Sequence, residues 1–161
     1  CHGDEALSIL KDGDRELCSA LKAFKYQDNS VITHCDVSFM PRRKKAWASW
    51  VYLNDSRTDE RPVVSLSYWM NNLQNLNTAA PVIVTLNPGW RPDEDKIYDE
   101  HVFMHPIFDE AAICAQERIK DLQGKNGLWF CGAHLRYGFH EDGLWSAVNV
   151  AKALGAKIPW E

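Results

Sequence analysis

The sequence lacks the features that mark several large classes of protein. Its five cysteines stand singly at positions 1, 18, 35, 114 and 131 with no CxxC pair, which favours neither a disulfide framework nor a zinc site. No apolar run approaches the ~20 residues of a membrane-spanning helix. The net charge of -4 does not suggest a basic face for nucleic acid. We therefore expect a cytoplasmic protein that keeps free thiols, has no transmembrane segment and binds no nucleic acid.

Motifs for common catalytic chemistry are also missing. No GxSxG elbow marks a nucleophilic serine, and neither GxGxxG nor a Walker pattern marks a phosphate loop. His101 and His105 are four residues apart, but no cysteine or carboxylate stands at ligand spacing beside them. We expect no metal site, and the sequence marks no residue as catalytic.

What the sequence contains is the pattern of an α+β domain, or of an α/β fold without its first half. At 161 residues and 45% hydrophobic, the chain can bury one ordinary core. Apolar periodicity predicts helices over 4–10, 15–24, 110–122 and 141–154, with a helical turn over 70–76. Strands are predicted over 30–36, 48–53, 63–69, 81–86, 102–105 and 128–131. We expect a mostly antiparallel sheet with flanking helices, followed by a strand, a loop and a helix.

Aromatic residues are concentrated on the predicted strands. Seven tryptophans are many for this length, because Trp is costly to leave unpacked outside a cavity or an interface. Core packing is one interpretation of this density. The other is a substrate pocket, for which the candidate residues are Trp50, Tyr52, Tyr68 and Trp69. In the strand over 63–69, Leu66 and Tyr68 share one face, and Ser65 and Ser67 share the other.

The end of the chain has the most informative local pattern. The apolar run at 128–131 ends at Gly132, and a loop dense in Gly, His and aromatic residues leads to a helix that opens at residues 141–143. Strand, loop and helix N-terminus in that order can hold an anionic or electron-rich ligand on backbone N–H groups. The alternative is an ordinary strand-to-helix turn.

Two segments carry a family resemblance. Residues 129–133 (Trp-Phe-Cys-Gly-Ala) and 137–144 (Tyr-Gly-Phe-His-Glu-Asp-Gly-Leu) closely resemble the C-terminal signature of flavin-dependent amine oxidases and phytoene-desaturase-like proteins. The nearest match is a subgroup of predicted NAD/FAD-binding oxidoreductases associated with cyclopropane-fatty-acid synthases. Residues 40–43, 46–50, 66–71, 85–88 and 105–109 resemble the same proteins in the same order.

The resemblance implies an FAD-dependent oxidoreductase that moves a hydride from its substrate to the flavin. It assigns 1–125 mostly to a substrate-binding domain, and 126–161 to the last strand and helix of a Rossmann-like FAD domain. A small-molecule or lipid-like substrate is implied by analogy. The cofactor-binding residues that it implies are Gly132, Ala133, Gly138, Glu141, Asp142, Gly143 and Leu144.

Two departures from the family pattern limit this expectation. Ala133 stands where many relatives place an acidic residue after the first glycine. The Rossmann half with its GxGxxG motif is missing, so we interpret the chain as the C-terminal part of a longer protein. We expect this part alone to be inactive and not to retain FAD.

Two other functions fit the same residues. One is a truncated, non-catalytic domain that self-associates through the apolar face that a missing half would leave, or that binds a small ligand. The other is an unrelated α+β binding protein that uses the aromatic sheet.

Overall fold

The computed structural model describes residues 1–10, 14–54 and 64–160. The predicted turn at 12–14 and the charged loop at 54–62 lie mostly outside these residues. The helices are α1 (Gly3–Ile9), α2 (Arg15–Leu21), α3 (Met70–Leu73), α4 (Glu110–Asp121) and α5 (His140–Ala153). The strands are β1 (Lys25–His34), β2 (Trp50–Asn54), β3 (Val64–Trp69), β4 (Ile83–Leu86) and β5 (Ile97–Ile107).

The fold is α+β, with a five-stranded antiparallel sheet and flanking helices, as predicted. The chain forms two compact units. The helical unit comprises Cys1–Gln27 and His105–Glu161, and the sheet unit comprises Asp28–Met104. These boundaries differ from a division at residue 125. The assignment of 1–125 and 126–161 to two functional domains stays a prediction.

The core of the helical unit forms where α2 packs against α4. Each of these helices begins at an aspartate: Asp14 accepts a hydrogen bond from the Glu16 amide, and Asp109 accepts one from the Ala112 amide at 2.9 Å. Their apolar faces bury a common cluster, on the order of 1.5–3 kcal/mol for each large aliphatic or aromatic side chain. Its members are Leu17, Ala20, Leu21, Phe24, Ala112, Ala115, Ile119 and Leu122.

The sheet has the strand order β2-β3-β4-β1-β5, so β2 and β5 are its edges. β3 pairs with both β2 and β4, with Tyr68 opposite Trp50 on one side and opposite Val84 on the other. β4 also pairs with β1, where Thr85 lies opposite Ile32. This register places Ser67, Thr85 and Ile32 in one row across three strands.

The face of β3 that carries serines is the buried one. Ser65 and Ser67 are 1% and 0% exposed, whereas Leu66 and Tyr68 on the other face are half-buried. Buried hydroxyl groups need hydrogen-bond partners. Ser67 Oγ lies 2.7 Å from Thr85 Oγ1, and the next member of the chain is His34, whose Nε2 lies 2.8 Å from the same Thr85 oxygen. A polar row therefore runs through the core of the sheet unit.

The last member of this polar row is the neutral imidazole of His34. The Asp36 amide donates to His34 Nδ1 at 3.1 Å, which leaves Nε2 as the protonated nitrogen that donates to Thr85. The Phe39 ring covers the imidazole, with ring centroids 4.8 Å apart. Burial lowers the pKa of His34 from 6.5 to about 4, against a smaller opposite effect of the Asp36 carboxylate.

Two strands are longer than predicted, and one predicted strand is not formed. β1 begins at Lys25 and β5 extends from Ile97 to Ile107, both longer than the sequence suggests. Polar residues hide both patterns, and an exposed edge strand such as β5 has no apolar alternation to reveal it. The prediction of a strand at 128–131 was wrong, because this segment belongs to no strand of the described residues. An extended segment becomes a strand only when another strand pairs with it.

The buried imidazole predicts a loss of stability in acid. The folded pKa of His34, about 4, lies below the unfolded value of 6.5, so protons bind preferentially to the unfolded chain. Its contribution is intact above pH 6.5 and is lost as the pH falls towards 4. We expect this residue to lower the free energy of unfolding by about 3 kcal/mol across that interval.

Urea unfolding at a series of pH values would measure this loss. The control is His34→Gln, whose amide can still donate to Thr85 but does not titrate. We expect the pH slope between 6.5 and 4 to be shallower in this variant. Equal slopes in the two proteins would contradict the assignment to His34.

Candidate functional site

The loop that precedes α5 is held by short contacts to the helices of the same unit. Gln116, on α4, donates its amide to the carbonyl oxygens of His134 at 3.0 Å and Arg136 at 2.6 Å. Within the loop, the Gly138 amide donates to the Ala133 carbonyl at 3.1 Å. Gln116 thus holds the backbone at residues 134 and 136, where no strand pairs with the loop. Nothing in the sequence distinguishes Gln116, because a mid-helix glutamine is an ordinary surface residue.

Gly132 is tied directly to α5 through Ser146. The Gly132 amide donates to Ser146 Oγ at 2.9 Å, and Ser146 Oγ lies 2.8 Å from the Gly143 carbonyl oxygen. Ser146 is 4% exposed, so this hydroxyl is a fixed link between the loop and the first turns of the helix. Ala133 lies close to Gly143 on the same side, with its amide nitrogen 3.7 Å from where a Gly143 Cβ would stand. Ser146 was also missed; its position three residues after Gly143 is the only signal in the sequence.

The first turn of α5 is closed by a buried carboxylate. Asp142 is 4% exposed, and its Oδ2 accepts a hydrogen bond from the Phe139 amide at 3.0 Å. Its Oδ1 lies 3.5 Å from Arg136 Nη1. The guanidinium of Arg136 lies over the rings of Tyr137 and Trp145, at 5.2 and 5.0 Å from their centroids. The buried negative charge is therefore matched by a cation held in place by aromatic rings.

Of the residues at the start of α5 that the resemblance implies, Glu141 has an open N–H group, whereas Asp142 and Gly143 do not. The amides of Asp142 and Gly143 both donate to the Phe139 carbonyl, at 3.0 and 3.3 Å, and so belong to the helix itself. Within the described part of the chain, the amides of His140 and Glu141 have no hydrogen-bond partner. A ligand at this helix end would therefore meet the N–H groups of residues 140 and 141.

Apolar side chains surround this helix end. Tyr137 and Phe139 are 69% and 64% exposed, and Leu144 is 48% exposed. Gly138 lies between the two aromatic residues with φ +91°, and an added Cβ there would stand 3.0 Å from the Phe108 ring. The site is thus an exposed helix N-terminus with an aromatic rim. Exposed aromatic residues in such a cluster are typical of a surface that another group covers.

The segment before Gly132 is extended and has a side chain in place of a partner strand. Gln123 accepts from the Phe130 amide at 2.8 Å and donates to the Phe130 carbonyl at 2.6 Å. In the described structure, the backbone groups of Trp129 and Cys131 on either side make no hydrogen bond. A side-chain amide has thus taken the place of one residue of a neighbouring strand.

A cavity of about 420 Å³ lies beside this segment, between α4 and α5. Its walls are mostly apolar, with amide groups at several points. The lining includes Ile119, Trp129, Phe130, Leu135, Trp145 and Val150, together with Gln116, Gln123 and Asn149. A cavity of this size and lining can take a small ligand or the side chains of a packed partner.

His134 is buried in the loop with one nitrogen unpartnered. The side chain is 5% exposed, and its Nε2 is the buried side-chain atom that lacks a hydrogen bond among the described residues. Burial lowers its pKa to about 4, so the imidazole is neutral at pH 7. The ring packs edge-on against Phe24 and lies within 2.7 Å of the position of a Gly132 Cβ. A neutral imidazole with an open nitrogen can still donate or accept one hydrogen bond.

The aromatic residues predicted as a substrate pocket lie on both faces of the sheet. Trp50 and Tyr68 are directly opposite and pack edge to face at 6.0 Å, and Tyr52 lies beside them at 69% exposure. Trp69 is on the opposite face, where it packs against Trp47 at 5.2 Å. Trp50 and Tyr52 are exposed and Tyr68 is half-buried beside them, so three of the four residues form one aromatic surface. Their role in substrate binding stays a prediction.

Comparisons with known proteins add no family assignment. No protein-family model matches the sequence, and a search of curated proteins finds no significant match. The described residues contain no group of three or more His, Cys, Asp or Glu that could hold a metal ion. None of the described helices is both long and apolar enough to cross a membrane.

The crowding at Gly138 predicts a large effect of a single methyl group. Gly138 and Gly155 both have positive φ, +91° and +83°, but only Gly138 faces a close neighbour, the Phe108 ring. We expect Gly155→Ala to lower the free energy of unfolding by about 1 kcal/mol, through backbone strain alone. Gly138→Ala should cost about 2–4 kcal/mol, since overpacking adds to the same strain.

Urea unfolding of the two variants beside the unmodified protein would measure both costs. Gly155→Ala serves as the matched control for backbone strain. Equal costs at the two positions would show that the Phe108 ring moves aside freely and that the loop is not rigid there.

Proposed function

We propose that this chain is the C-terminal part of an FAD-dependent oxidoreductase of the amine-oxidase type. The observation that carries the proposal is the N-terminus of α5, where the amides of His140 and Glu141 are open inside an aromatic rim. A helix N-terminus favours electron-rich and anionic groups. The sequence at 129–133 and 137–144, which resembles the flavin-binding signature, forms this same site.

The residues present fit one side of a flavin site. Asp142 and Ser146 fix the helix end and the loop, so that the open amides need no rearrangement to meet a ligand. The neutral imidazole of His134 holds a buried nitrogen without a partner, which a ligand or a further chain segment would satisfy. When bound, FAD supplies the acceptor for a hydride that leaves the substrate.

The rest of the site is proposed to lie on residues outside this sequence. A GxGxxG loop is needed to hold the pyrophosphate, and this chain has none. The free backbone groups beside Phe130 and the adjacent cavity of about 420 Å³ suit a further strand that pairs with this segment. In this proposal α5 positions the flavin ring, and the missing half holds the remainder of the cofactor.

The substrate is proposed to be a small or lipid-like molecule. The aromatic surface of Trp50, Tyr52 and the half-buried Tyr68 offers aromatic and apolar contacts that suit such a molecule. The buried carboxylate of the α5 site, Asp142, is engaged by the Phe139 amide and Arg136, so it is not free to act as a general base. Orientation and charge stabilisation are therefore the proposed contributions of these residues.

The proposal predicts different flavin contents for this chain and for a longer protein. We expect the 161-residue chain, incubated with FAD and desalted, to retain no stoichiometric flavin, because most cofactor contacts would be missing. A product that includes an upstream GxGxxG half should retain about one flavin per chain, measured by its absorbance. A longer product that purifies folded but without flavin, and does not take it up, would refute the proposal.

A variant pair tests the amide of His140 in that longer protein. Proline is favoured at the first helical position, and the preceding residue Phe139 already has the extended backbone that proline requires (ψ 162°). His140→Pro therefore removes one N–H without breaking α5. Its matched control is His140→Ala, which removes the same side chain and keeps the N–H. We expect FAD to dissociate about tenfold more readily from the proline variant than from the alanine variant.

Circular dichroism would verify that both variants keep their helix content. The flavin midpoint potential provides a second measurement, since loss of the donor should lower it relative to the alanine variant. Equal affinities and equal potentials in the two variants would contradict a role for this amide.

A further inference from the structure

β5 is a long edge strand with unusually complete exposure. Its 11 residues run from Ile97 to Ile107, and every residue from Tyr98 to His105 is exposed on one face or the other. The exposed set includes large apolar side chains: Val102 is 63% exposed, Phe103 52% and Met104 46%. An exposed, apolar edge strand of this length is a template for pairing with another strand.

The hydrogen-bond pattern of the sheet shows which residues of β5 face the open edge. The Asn87 amide donates to the Ser30 carbonyl, so even-numbered residues of β1 bond to β4. The Cys35 amide donates to the Lys96 carbonyl at 3.0 Å, so odd-numbered residues of β1 bond to even-numbered residues of β5. The odd-numbered residues of β5 therefore turn their backbone groups outwards. Pro106, which has no N–H, is even-numbered and does not interrupt this outer row.

We propose that two copies of this chain associate by antiparallel pairing of their β5 strands. The register that overlaps all 11 residues is centred on Val102, which then faces Val102 of the second copy. In that register His101 and Phe103 face each other across the dyad as hydrogen-bonded pairs, both with outward backbone groups. A two-fold axis through Val102 gives a closed interface that uses the same surface of each copy.

Hydrogen-bond complementarity between carboxylate and imidazole groups selects the same register. Full overlap places Asp99 opposite His105 of the second copy, and the symmetry repeats this pair at the other end. Asp99 is already 2.8 Å from His101 Nε2 on its own strand, so its carboxylate would lie between two imidazoles. Glu100, the other acidic residue of β5, is held by Arg91 at 2.9 Å and would face the apolar side chain of Met104. No two carboxylates oppose each other in this register.

Neighbouring registers lack this match. A shift that centres the dyad on His101 leaves Asp99 opposite Phe103, and one that centres it on Glu100 brings two carboxylates face to face, which destabilises cross-strand pairs. A shift that centres it on Phe103 places His101 opposite His105 and leaves Asp99 opposite Ile107. All three shifts also shorten the overlap, and fewer hydrogen bonds form as a result. This interface does not depend on the flavin site, since it uses a different element of the chain.

Sedimentation velocity of the purified chain over a range of concentrations tests the proposal. We expect a reversible dimer, which Asp99→Lys and His105→Asp should each weaken about tenfold, because each removes both carboxylate–imidazole pairs. The double variant places a lysine opposite an aspartate at both ends of the interface, and it should recover most of the affinity. A monomer at all concentrations, or a double variant no stronger than the single ones, would overturn the proposal.

An oxidative cross-link tests the register independently. Val102→Cys places two thiols at a position where Cα atoms are about 4.5 Å apart across the dyad, within disulfide range. The matched control is Phe103→Cys, an adjacent exposed position. In this register position 103 faces position 101 of the second copy, so the two introduced thiols do not face each other. Mass spectrometry should find a disulfide that joins position 102 of the two copies in the first variant, and no equivalent in the second. A dimer in which both variants cross-link equally would exclude this register.

These tests are separate from those of the flavin proposal. They require no cofactor and use the 161-residue chain. If the chain dimerises but the longer protein binds no flavin, the dimer proposal stands and the flavin proposal fails. If the longer protein binds flavin but the chain stays monomeric, the opposite holds.

Discussion

The need of each enclosed peptide group for a hydrogen-bond partner governs the segment that leads into α5. No strand pairs with residues 128–138 in the described structure, so side chains of α4, of the turn that follows it and of α5 supply the partners. Gln116 serves two carbonyl groups, Gln123 serves both polar groups of Phe130, and Ser146 serves Gly132. These bonds act together with apolar packing to position the helix N-terminus, since Leu128, Phe130 and Leu135 pack against the core cluster.

The sheet unit meets the same requirement in a different way. Its buried face carries hydroxyl groups and an imidazole where aliphatic side chains would be more usual. Each of these groups is satisfied by its neighbour in the row Ser67, Thr85 and His34. Such a row fixes the register of the strands, because a shift of one residue would separate the pairs and leave buried polar atoms without partners.

Much of the architecture could be predicted from local sequence patterns. The four longer helices follow from apolar spacing, and the aspartate caps at residues 14 and 109 mark two of their starts. The strand at 128–131 was predicted incorrectly, because an apolar run indicates an extended chain but not whether another strand pairs with it. β5 was predicted too short, since Asp99, Glu100 and Pro106 resemble a loop unless the strand lies at an edge.

The glycine loop could be located from the sequence, but the groups that fix it and the N–H groups that it leaves open could not. Asp142 was expected to offer its amide, but the structure uses its carboxylate as a cap and leaves the amides of His140 and Glu141 open. Side chains that act at a distance along the chain, such as Gln116 and Ser146, have no local signature. Their roles arise only when two helices lie beside one loop.

The pairing of Gln123 with Phe130 makes the loop sensitive to deamidation of the Gln123 side chain. Gln123 is followed by Gly124, and a primary amide is among the thermolabile groups of a protein. Hydrolysis of this amide would turn the donor that faces the Phe130 carbonyl into a carboxylate oxygen, and two acceptors would then confront each other at 2.6 Å. Conversion of one neutral side chain to an acid would thus release the segment that leads to α5, with no change elsewhere in the chain.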